Sequence, residues 1–438
     1  VVAGISGTGS VTGAAGALLV NGKDWTLDGS SILNNAGTVQ LTSGTTVVSA
    51  PLTMTGGWTL AGGVLDVEAA MEIGQLTMPN VFASPPNGGL TIGTGKTLTV
   101  DGLFTWSEQA IQGGGTMDAK GGITMATAST KTLLGTLTNE GSAIWSAGTL
   151  TLGGGTLNNV TGATFDMRIS SQSGTAVTVN NAGTLIKSSS SGTVELKTVN
   201  NSGAVQVTRG KLIIDGGAVG GTLSVDASAV LAFGTLTVSG DVSGGGEVDV
   251  MASAATTFTG AYAPKKTVVG AHATATFASG ADLTGFGDVV SSAGSLTTVS
   301  TGHAVTMGSV TIGGEMDVFD PLDVTGTLSL ATGGKLVMWD TLTLDGPGQL
   351  TWTGGVLDVS RGGISGMETV TIPTAGVLIM DDTAFAGTII VNGELDIVHD
   401  GQLVAMVTGG GTSVPEAGTL GVLAMEADCV LYMPQGEG

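Results

Sequence analysis

Short segments in which apolar and polar residues alternate recur along the chain. Leu or Val alternates with Thr or Ser at residues 149–152, 221–225, 234–238 and 326–330. A period of two places the aliphatic side chains on one face of an extended strand and the hydroxyls on the other. The pattern therefore predicts a chain of many short, half-buried β-strands.

Turns that contain asparagine and glycine separate many of these strands. The sequence Asn-Asn-x-Gly begins at Asn34, Asn180 and Asn200, and related turns contain Asn139 and Asn158. The asparagines at positions 139, 158, 180 and 200 follow one another at nearly constant intervals. Gly and Asn tolerate the positive φ angles that tight corners require. These spacings indicate a repeat of about 21 residues.

This period predicts the fold. Three short strands and three turns use about twenty residues, which is one coil of a parallel β-helix. We expect an all-β parallel β-solenoid of about 20 coils, with roughly 21 residues in each coil. A series of antiparallel sandwich domains is the alternative, but corners that recur this closely along the chain favour the solenoid.

Stacked coils would bring asparagines at equivalent corners together, where their amides can form a hydrogen-bonded ladder. Nine asparagines have the required positions in the repeat. The predicted corner ladder comprises Asn34, Asn35, Asn139, Asn158, Asn159, Asn180, Asn181, Asn200 and Asn201.

Three regions differ in how clearly the repeat is preserved. Residues 1–215 are expected to form a regular solenoid with Asn-Asn-x-Gly corners, and residues 216–407 continue it with a weaker repeat. Residues 408–438 begin with a Gly-rich hinge and form a terminal segment. Within the second region, residues 261–266 are expected to form a protruding loop.

Composition excludes several classes of protein. The chain has 438 residues, of which 76 are glycine; 41% are hydrophobic and only 11% are charged. Disordered acidic chains contain fewer apolar residues, collagen needs a strict three-residue glycine period, and helix-rich enzymes use more Glu, Lys and Arg. A formal charge of −22 opposes binding to nucleic acid or anionic lipid, because both require clustered Lys and Arg.

The single cysteine, Cys429, excludes an intrachain disulfide. No apolar run is long enough to predict a transmembrane helix. The chain begins with neither Met nor a basic and apolar leader. We therefore expect that a targeting segment has been removed or that the chain is part of a longer polypeptide.

Five aspartates follow one another at steps close to one coil. They are Asp317, Asp340, Asp358, Asp381 and Asp400. On a solenoid, such steps could stack the carboxylates about 5 Å apart. Like charges at that distance need a cation between them, and Ca²⁺ prefers several oxygen ligands, so a weak Ca²⁺ site is one hypothesis. The alternatives are that each aspartate caps its own turn, or that two form a glycosidase-like pair. No other cofactor is expected.

Residues suited to catalysis are few. The three histidines are not separated by multiples of the repeat, so they would not meet at one corner of successive coils. A polysaccharide lyase would need a base beside carboxylates, and the candidates are Arg361 near Asp358 and Lys335 near Asp340. Five tryptophans within repeats could stack on sugars, but core filling is favoured. They are Trp58, Trp106, Trp145, Trp339 and Trp352.

The Asn-Asn-Ala-Gly-Thr-Leu sequence at 180–185 and the Gly-Thr-Leu-Thr-Val sequence at 234–238 resemble the repeats of large bacterial exported β-helix proteins. These include filamentous-haemagglutinin-like adhesins and autotransporter passenger domains. The resemblance covers most of the chain and is specific to no single member. It implies a right-handed parallel β-helix, export, and a role at the cell surface in adhesion or as a structural fibre.

These features together favour a non-enzymatic function. We expect a rigid, acidic, extracellular β-solenoid whose partners are copies of itself, other cell-surface components or polysaccharide, but neither nucleic acid nor the membrane interior. The first alternative is a β-helix enzyme that degrades polysaccharide. The second is a binder of ice or mineral, which requires Thr-x-Thr sequences aligned on one flat face.

Overall fold

The computed structural model describes ten stretches of the chain. They are residues 10–29, 32–80, 89–189, 191–344, 349–367, 369–380, 388–391, 393–397, 422–425 and 430–432. The regular structure within these stretches is entirely β-strand, without a helix. The strands are parallel and stack as a β-solenoid of about 17 turns, which confirms the predicted fold class.

The chain divides into two units, residues 1–224 and 225–438. In each unit, the chain passes through three rows of parallel strands and returns to the starting row one coil later. We call these rows the first, second and third row, in the order in which the chain visits them.

The first unit contains short strands in all three rows. The first row comprises a separate pair, Ser10–Gly13 and Ile32–Asn35, and then Leu52–Thr53, Met71–Ile73, Thr97–Val100, Thr116–Ala119, Thr136–Asn139, Thr156–Asn159 and Ala218–Val219. The second row comprises Leu18–Asn21, Thr38–Leu41, Gly57–Leu60, Gln75–Met78, Phe104–Trp106, Ile123–Met125, Ser142–Trp145, Thr164–Met167, Thr184–Lys187, Ala204–Val207 and Thr222–Val225. The third row comprises Trp25–Leu27, Thr45–Val48, Val64–Val67, Gly89–Ile92, Gln109–Gln112, Lys131–Leu133, Leu150–Leu152 and Gly210–Ile214. Two longer strands, Gln172–Asn181 and Thr193–Asn201, continue from the third row into the first.

The second unit repeats this arrangement. Its first row comprises Leu236–Val238, Ala255–Phe258, Thr274–Phe277, Leu296–Val299, Glu315–Val318, Lys335–Met338, Gly355–Val359, Gly376–Met380, Glu394–Ile397 and Val430–Tyr432. Its second row includes Val305–Met307, Leu322–Val324, Leu342–Leu344 and Ile364–Ser365. Its third row includes Ala229–Phe233, Asp288–Ser291, Val310–Ile312, Leu328–Leu330, Leu350–Trp352, Thr369–Ile372, Thr388–Val391 and Val422–Met425. Asp241–Val250 and Tyr262–Val269 each run from the second row into the third.

The coil count of about 17 is lower than the expected 20, and two pairs of in-register partners lie farther apart in the chain than the repeat that the sequence indicates. One such pair is Leu76 and Phe104. The other is Leu395 and Leu431, between which much of the chain lies outside the described residues.

The core of each unit consists of the side chains that point inward from the strands. In the strand Thr97–Val100, Leu98 and Val100 are buried, whereas the two threonines are partly exposed. Leu98 pairs with Met117 of the next coil, so equivalent inward positions pack on one another. Burying each such side chain contributes about 1.5–3 kcal/mol. The core is therefore built from contacts between neighbouring coils.

Aromatic side chains fill the core at several positions. Trp58, Trp106 and Trp145 are almost fully buried in the first unit, so their rings are not available to stack on a sugar. In the second unit, the Tyr262 ring packs against Phe258 at a centroid distance of 4.6 Å. The prediction of a protruding loop at residues 261–266 was wrong. This segment begins the strand Tyr262–Val269, and the buried Tyr262 side chain anchors it in the core.

Glycine allows the corners of neighbouring coils to approach closely. A Cβ atom on Gly203 would lie only 2.1 Å from the carbonyl oxygen of Gly183 in the preceding coil. The Gly203 amide donates to the Asn181 carbonyl across the same contact, at 3.1 Å. The lack of a side chain at this corner therefore preserves the spacing between coils.

Replacing Gly203 with alanine is expected to lower the free energy of unfolding by about 1–3 kcal/mol, because the new methyl group forces the two coils apart. Urea denaturation monitored by circular dichroism measures the change. Gly29→Ala is the matched control, since a Cβ there meets nothing closer than the Ala50 Cβ at 3.9 Å. Equal denaturation midpoints for the two variants would contradict the close packing of the Gly203 corner.

Candidate functional site

A column of six threonines follows the first row of the first unit, at one position in six successive coils. Each threonine pairs in register with the next, and all six are partly exposed. The column comprises Thr97, Thr116, Thr136, Thr156, Thr178 and Thr198. The next residue of each strand points inward and is buried, which fixes the threonines on the outer surface.

A row of three asparagines runs beside the last three threonines of this column. Asn180 donates from Nδ2 to Asn158 Oδ1 at 2.9 Å, and Asn200 donates from Nδ2 to Asn180 Oδ1 at 2.9 Å. The Asn200 Oδ1 atom accepts a hydrogen bond from the Ala218 amide at 3.3 Å. These contacts hold each side-chain amide in one orientation. We call the six threonines together with Asn158, Asn180 and Asn200 the Thr–Asn face.

A depression of about 500 Å³ lies along the asparagine row. Asn158, Asn180 and Asn200 line it together with Thr161 and Ser202 at the adjoining corner, and no charged residue contributes to its lining. An uncharged, hydrogen-bonding surface is therefore present on a chain whose formal charge is −22.

A second row of asparagines lies inside the same corner. Asn139 donates from Nδ2 to Asn159 Oδ1 at 2.8 Å, Asn159 to Asn181 at 2.7 Å, and Asn181 to Asn201 at 2.6 Å. All four side chains are buried. The Nδ2 groups also donate to backbone carbonyls, as Asn181 does to Ala204 at 2.9 Å. This inner ladder therefore satisfies the backbone of the corner and links four coils.

The two earliest asparagines of the predicted corner ladder lie elsewhere. Asn34 pairs with Thr12, and the backbone of Asn35 pairs with Gly13. The strand Ser10–Gly13, which pairs with the strand that contains Asn34 and Asn35, has no asparagine to continue the ladder. The other seven predicted residues form the two rows described above.

Of the three predicted acidic residues that the structure describes, Asp317 and Asp358 share a column and Asp340 lies outside it. Asp317 and Asp358 occupy the same outward position, but Val337 lies between them, which separates the two aspartates by about 10 Å. Asp340 lies two residues beyond the strand Lys335–Met338, and its Oδ1 accepts a hydrogen bond from the Thr341 amide at 2.7 Å. Asp381 and Asp400 lie outside the described residues.

Across the described stretches, no group of three or more His, Cys, Asp or Glu side chains is arranged to hold a metal ion. Partial burial, followed by the charge of Glu315, raises the pKa of Asp317. Lys335 opposes this shift and Asp358 adds to it. Binding of Ca²⁺ by Asp317 and Asp358 stays a prediction.

The cationic residues considered for a lyase have other partners. Lys335 donates from Nζ to Glu315 Oε1 at 2.9 Å, and this pair joins adjacent coils. The Arg361 guanidinium lies 3.9 Å from the centre of the Trp339 ring. Trp339 in turn stacks on the exposed ring of Phe319, with centroids 4.9 Å apart. Cation–π and ring stacking therefore join three successive coils at this corner.

A buried lysine in the first unit shows how a basic group can serve the fold. Lys131 is fully buried, and its Nζ donates to the carbonyl oxygens of Thr127 at 2.8 Å and Ser129 at 2.9 Å. Burial lowers the pKa of Lys131 to about 8. The Lys131 ammonium group thereby satisfies these backbone carbonyls and holds the corner in one conformation.

Sequence reasoning named aligned threonines as an alternative but did not identify the residues of the column, and it did not find the buried lysine or the Phe319–Trp339–Arg361 stack. The column has a signal, because Thr followed by Leu, Met or Val recurs about once in each coil from Thr97 to Thr198. This signal is obscured by the many other Thr-aliphatic pairs in the chain.

Comparison with known proteins found no matching family model, no matching curated protein and no matching solved structure. In the part of the chain that the structure describes, no helix is long and apolar enough to span a membrane. We therefore base the functional proposal on the geometry of the chain itself.

Replacing Asn181 with alanine is expected to lower the free energy of unfolding by about 2–4 kcal/mol, because it removes the acceptor of Asn159 and the donor to Asn201 in a buried row. Urea denaturation measures the loss. Asn200→Ala, in the exposed outer row, serves as the control and should cost less than about 1 kcal/mol. Similar losses for both variants would show that the inner ladder does not hold the coils together.

Replacing Asp317 with asparagine is expected to stabilise the fold at neutral pH. The pKa of Asp317 is raised above its ordinary value of 3.8, so the protonated form favours folding and this contribution is lost as pH rises through the folded-state pKa. Asparagine mimics the protonated form. The advantage of the variant should therefore shrink as pH falls and vanish below the ordinary value.

Urea denaturation of both proteins at acidic and neutral pH, with EDTA present, provides this measurement. A wild-type protein that is the more stable of the two at neutral pH would contradict the raised pKa that partial burial and the acidic neighbours give Asp317. Repeating the neutral measurement with Ca²⁺ tests the cation hypothesis. Ca²⁺ should stabilise the wild-type protein more than Asp317→Asn if the carboxylate is a ligand.

Proposed function

We propose that this protein is a non-enzymatic β-solenoid that works outside the cell or at the cell surface as an adhesive or structural component. Its partners would be copies of itself, other cell-surface components or polysaccharide. The observation that carries the proposal is the Thr–Asn face, a regular array of hydroxyl and amide groups whose asparagine row has no charged lining residue, on an acidic chain. Such an array is suited to binding an extended surface or polymer.

Ion pairs between adjacent coils also support the proposal of a structural role. Lys197 pairs with Asp215 at 2.7 Å, Lys266 with Glu247 at 2.9 Å, and Lys120 with Asp101 at 3.1 Å. The partners in each pair belong to adjacent coils. These basic groups lie where they connect coils, as expected for a protein whose repeats stabilise one another.

The enzyme alternative is tested by incubating the purified chain with a panel of neutral and acidic polysaccharides. We expect retention of neutral polymer without new reducing ends or unsaturated products, and Asp358→Ala should retain polymer as the wild type does. Chromatography of the soluble products and a pull-down of the polymer provide the two readouts. Turnover by the wild type that is lost in Asp358→Ala or Arg361→Ala would overturn the non-enzymatic proposal.

A second candidate function is recognition of ice or a mineral lattice. The threonine column favours it, because six hydroxyls repeat at about 4.8 Å along one row. The full Thr-x-Thr pattern is present at Thr97 and Thr99 and at Thr136 and Thr138, but Asp118 stands where the second threonine would follow Thr116. Thermal hysteresis of a wild-type solution measures ice binding directly.

A further inference from the structure

We propose that the Thr–Asn face binds an uncharged, extended β-linked polysaccharide, with one sugar residue for each coil. This inference rests on the proposed adhesive function and assigns it a ligand class. The face lies within the first unit and its residues lie on successive, in-register strands.

The available hydrogen-bonding groups match those of a sugar. Each threonine hydroxyl offers one donor and two acceptor positions, and each asparagine amide has two N–H donors. In the described part of the chain, the column hydroxyls have no side-chain partner, and Asn180 and Asn200 each use one N–H within the outer row. A polyol that alternates donors and acceptors satisfies both kinds of group.

The charge of the site selects against ionic ligands. The depression along the asparagine row contains no charged lining residue, so it has no partner for a carboxylate, sulfate or ammonium group. The net charge of −22 repels polyanions from the chain as a whole. A neutral polymer needs no charged partner in the depression and is not repelled by the net charge of the chain.

The spacing of the site selects an extended polymer. Successive strands in a row are separated by about 4.8 Å, so the five steps from Thr97 to Thr198 cover about 24 Å. An extended β-1,4-linked hexopyranose chain advances by nearly one coil spacing per residue, whereas an α-1,4-linked chain coils. The β-linked chain therefore keeps one residue over each coil, and because its successive residues are flipped, equivalent hydroxyls recur over every second coil.

The depression and the ordered amides add to this match. The asparagine side of the face forms a shallow, open depression of about 500 Å³, which leaves room for the edge of a sugar ring. Hydrogen bonds along the outer row fix Asn180 between Asn158 and Asn200 before a ligand arrives. Ordering side chains in advance reduces the entropy lost on binding.

The test measures binding of three probes to the full chain by isothermal titration calorimetry. Cellohexaose is neutral and β-1,4-linked, maltohexaose has the same composition with α-1,4 links, and oligogalacturonate is anionic. We expect binding of cellohexaose, at least about tenfold weaker binding of maltohexaose, and no binding of oligogalacturonate.

A matched pair of double variants locates the site. Thr156→Val with Thr178→Val removes two neighbouring hydroxyls of the Thr–Asn face, and we expect about tenfold weaker binding of cellohexaose. Thr105→Val with Thr124→Val makes the same change at neighbouring, partly exposed threonines of the second row, which lacks the asparagine row, and should leave binding unchanged. Melting temperatures close to that of the wild type show that both variants fold.

The outcomes separate the two proposals. Absence of cellohexaose binding, equal affinity for maltohexaose, or equal loss in both double variants overturns the polysaccharide assignment alone. Thermal hysteresis without saccharide binding overturns it in favour of ice recognition. Cleavage of the bound hexasaccharide overturns the non-enzymatic function on which the assignment rests.

Discussion

Parallel hydrogen bonding between successive coils is the constraint on which the rest of this structure depends. In-register pairing places each side chain directly beside the residue at the same position of the next coil, as Asn159 lies beside Asn181. Inward positions thereby form a continuous core, and corner positions must hold residues that tolerate close stacking. Gly203 meets this demand by having no side chain, and the inner asparagines meet it by bonding to one another.

The same constraint decides where charge can be placed. Amides and hydroxyls can stack because they both donate and accept hydrogen bonds, whereas stacked carboxylates repel one another. The described carboxylates of the second unit fit this rule, since Glu315 is paired with Lys335 and Val337 separates Asp317 from Asp358. An uncharged face is the natural place for long columns of like residues, and it is the surface to which we assign binding.

The sequence was sufficient to predict the fold class because its corners recur at nearly constant intervals. The interval alone did not predict which side chains share a column. Asp340 follows Asp317 by close to one repeat, but the in-register partner of Asp317 is Val337, since turn lengths vary within each coil. The Tyr262 segment was misassigned for a related reason, because its lysines and proline indicate a loop while the core contact of Tyr262 depends on residues of other coils. To assign a residue to a position within a coil, one must know which residues pair between coils, and only the three-dimensional structure shows this pairing.

Distances between spin labels test the stacking of coils most directly. With Cys429 replaced by serine, labels at Thr53→Cys and Asn200→Cys are seven coil steps apart, and labels at Thr99→Cys and Asn200→Cys are five steps apart. Pulsed electron double resonance should give distances near about 34 Å and about 24 Å, in proportion to about 4.8 Å for each step. Distances that do not increase with the number of coils would contradict the in-register solenoid.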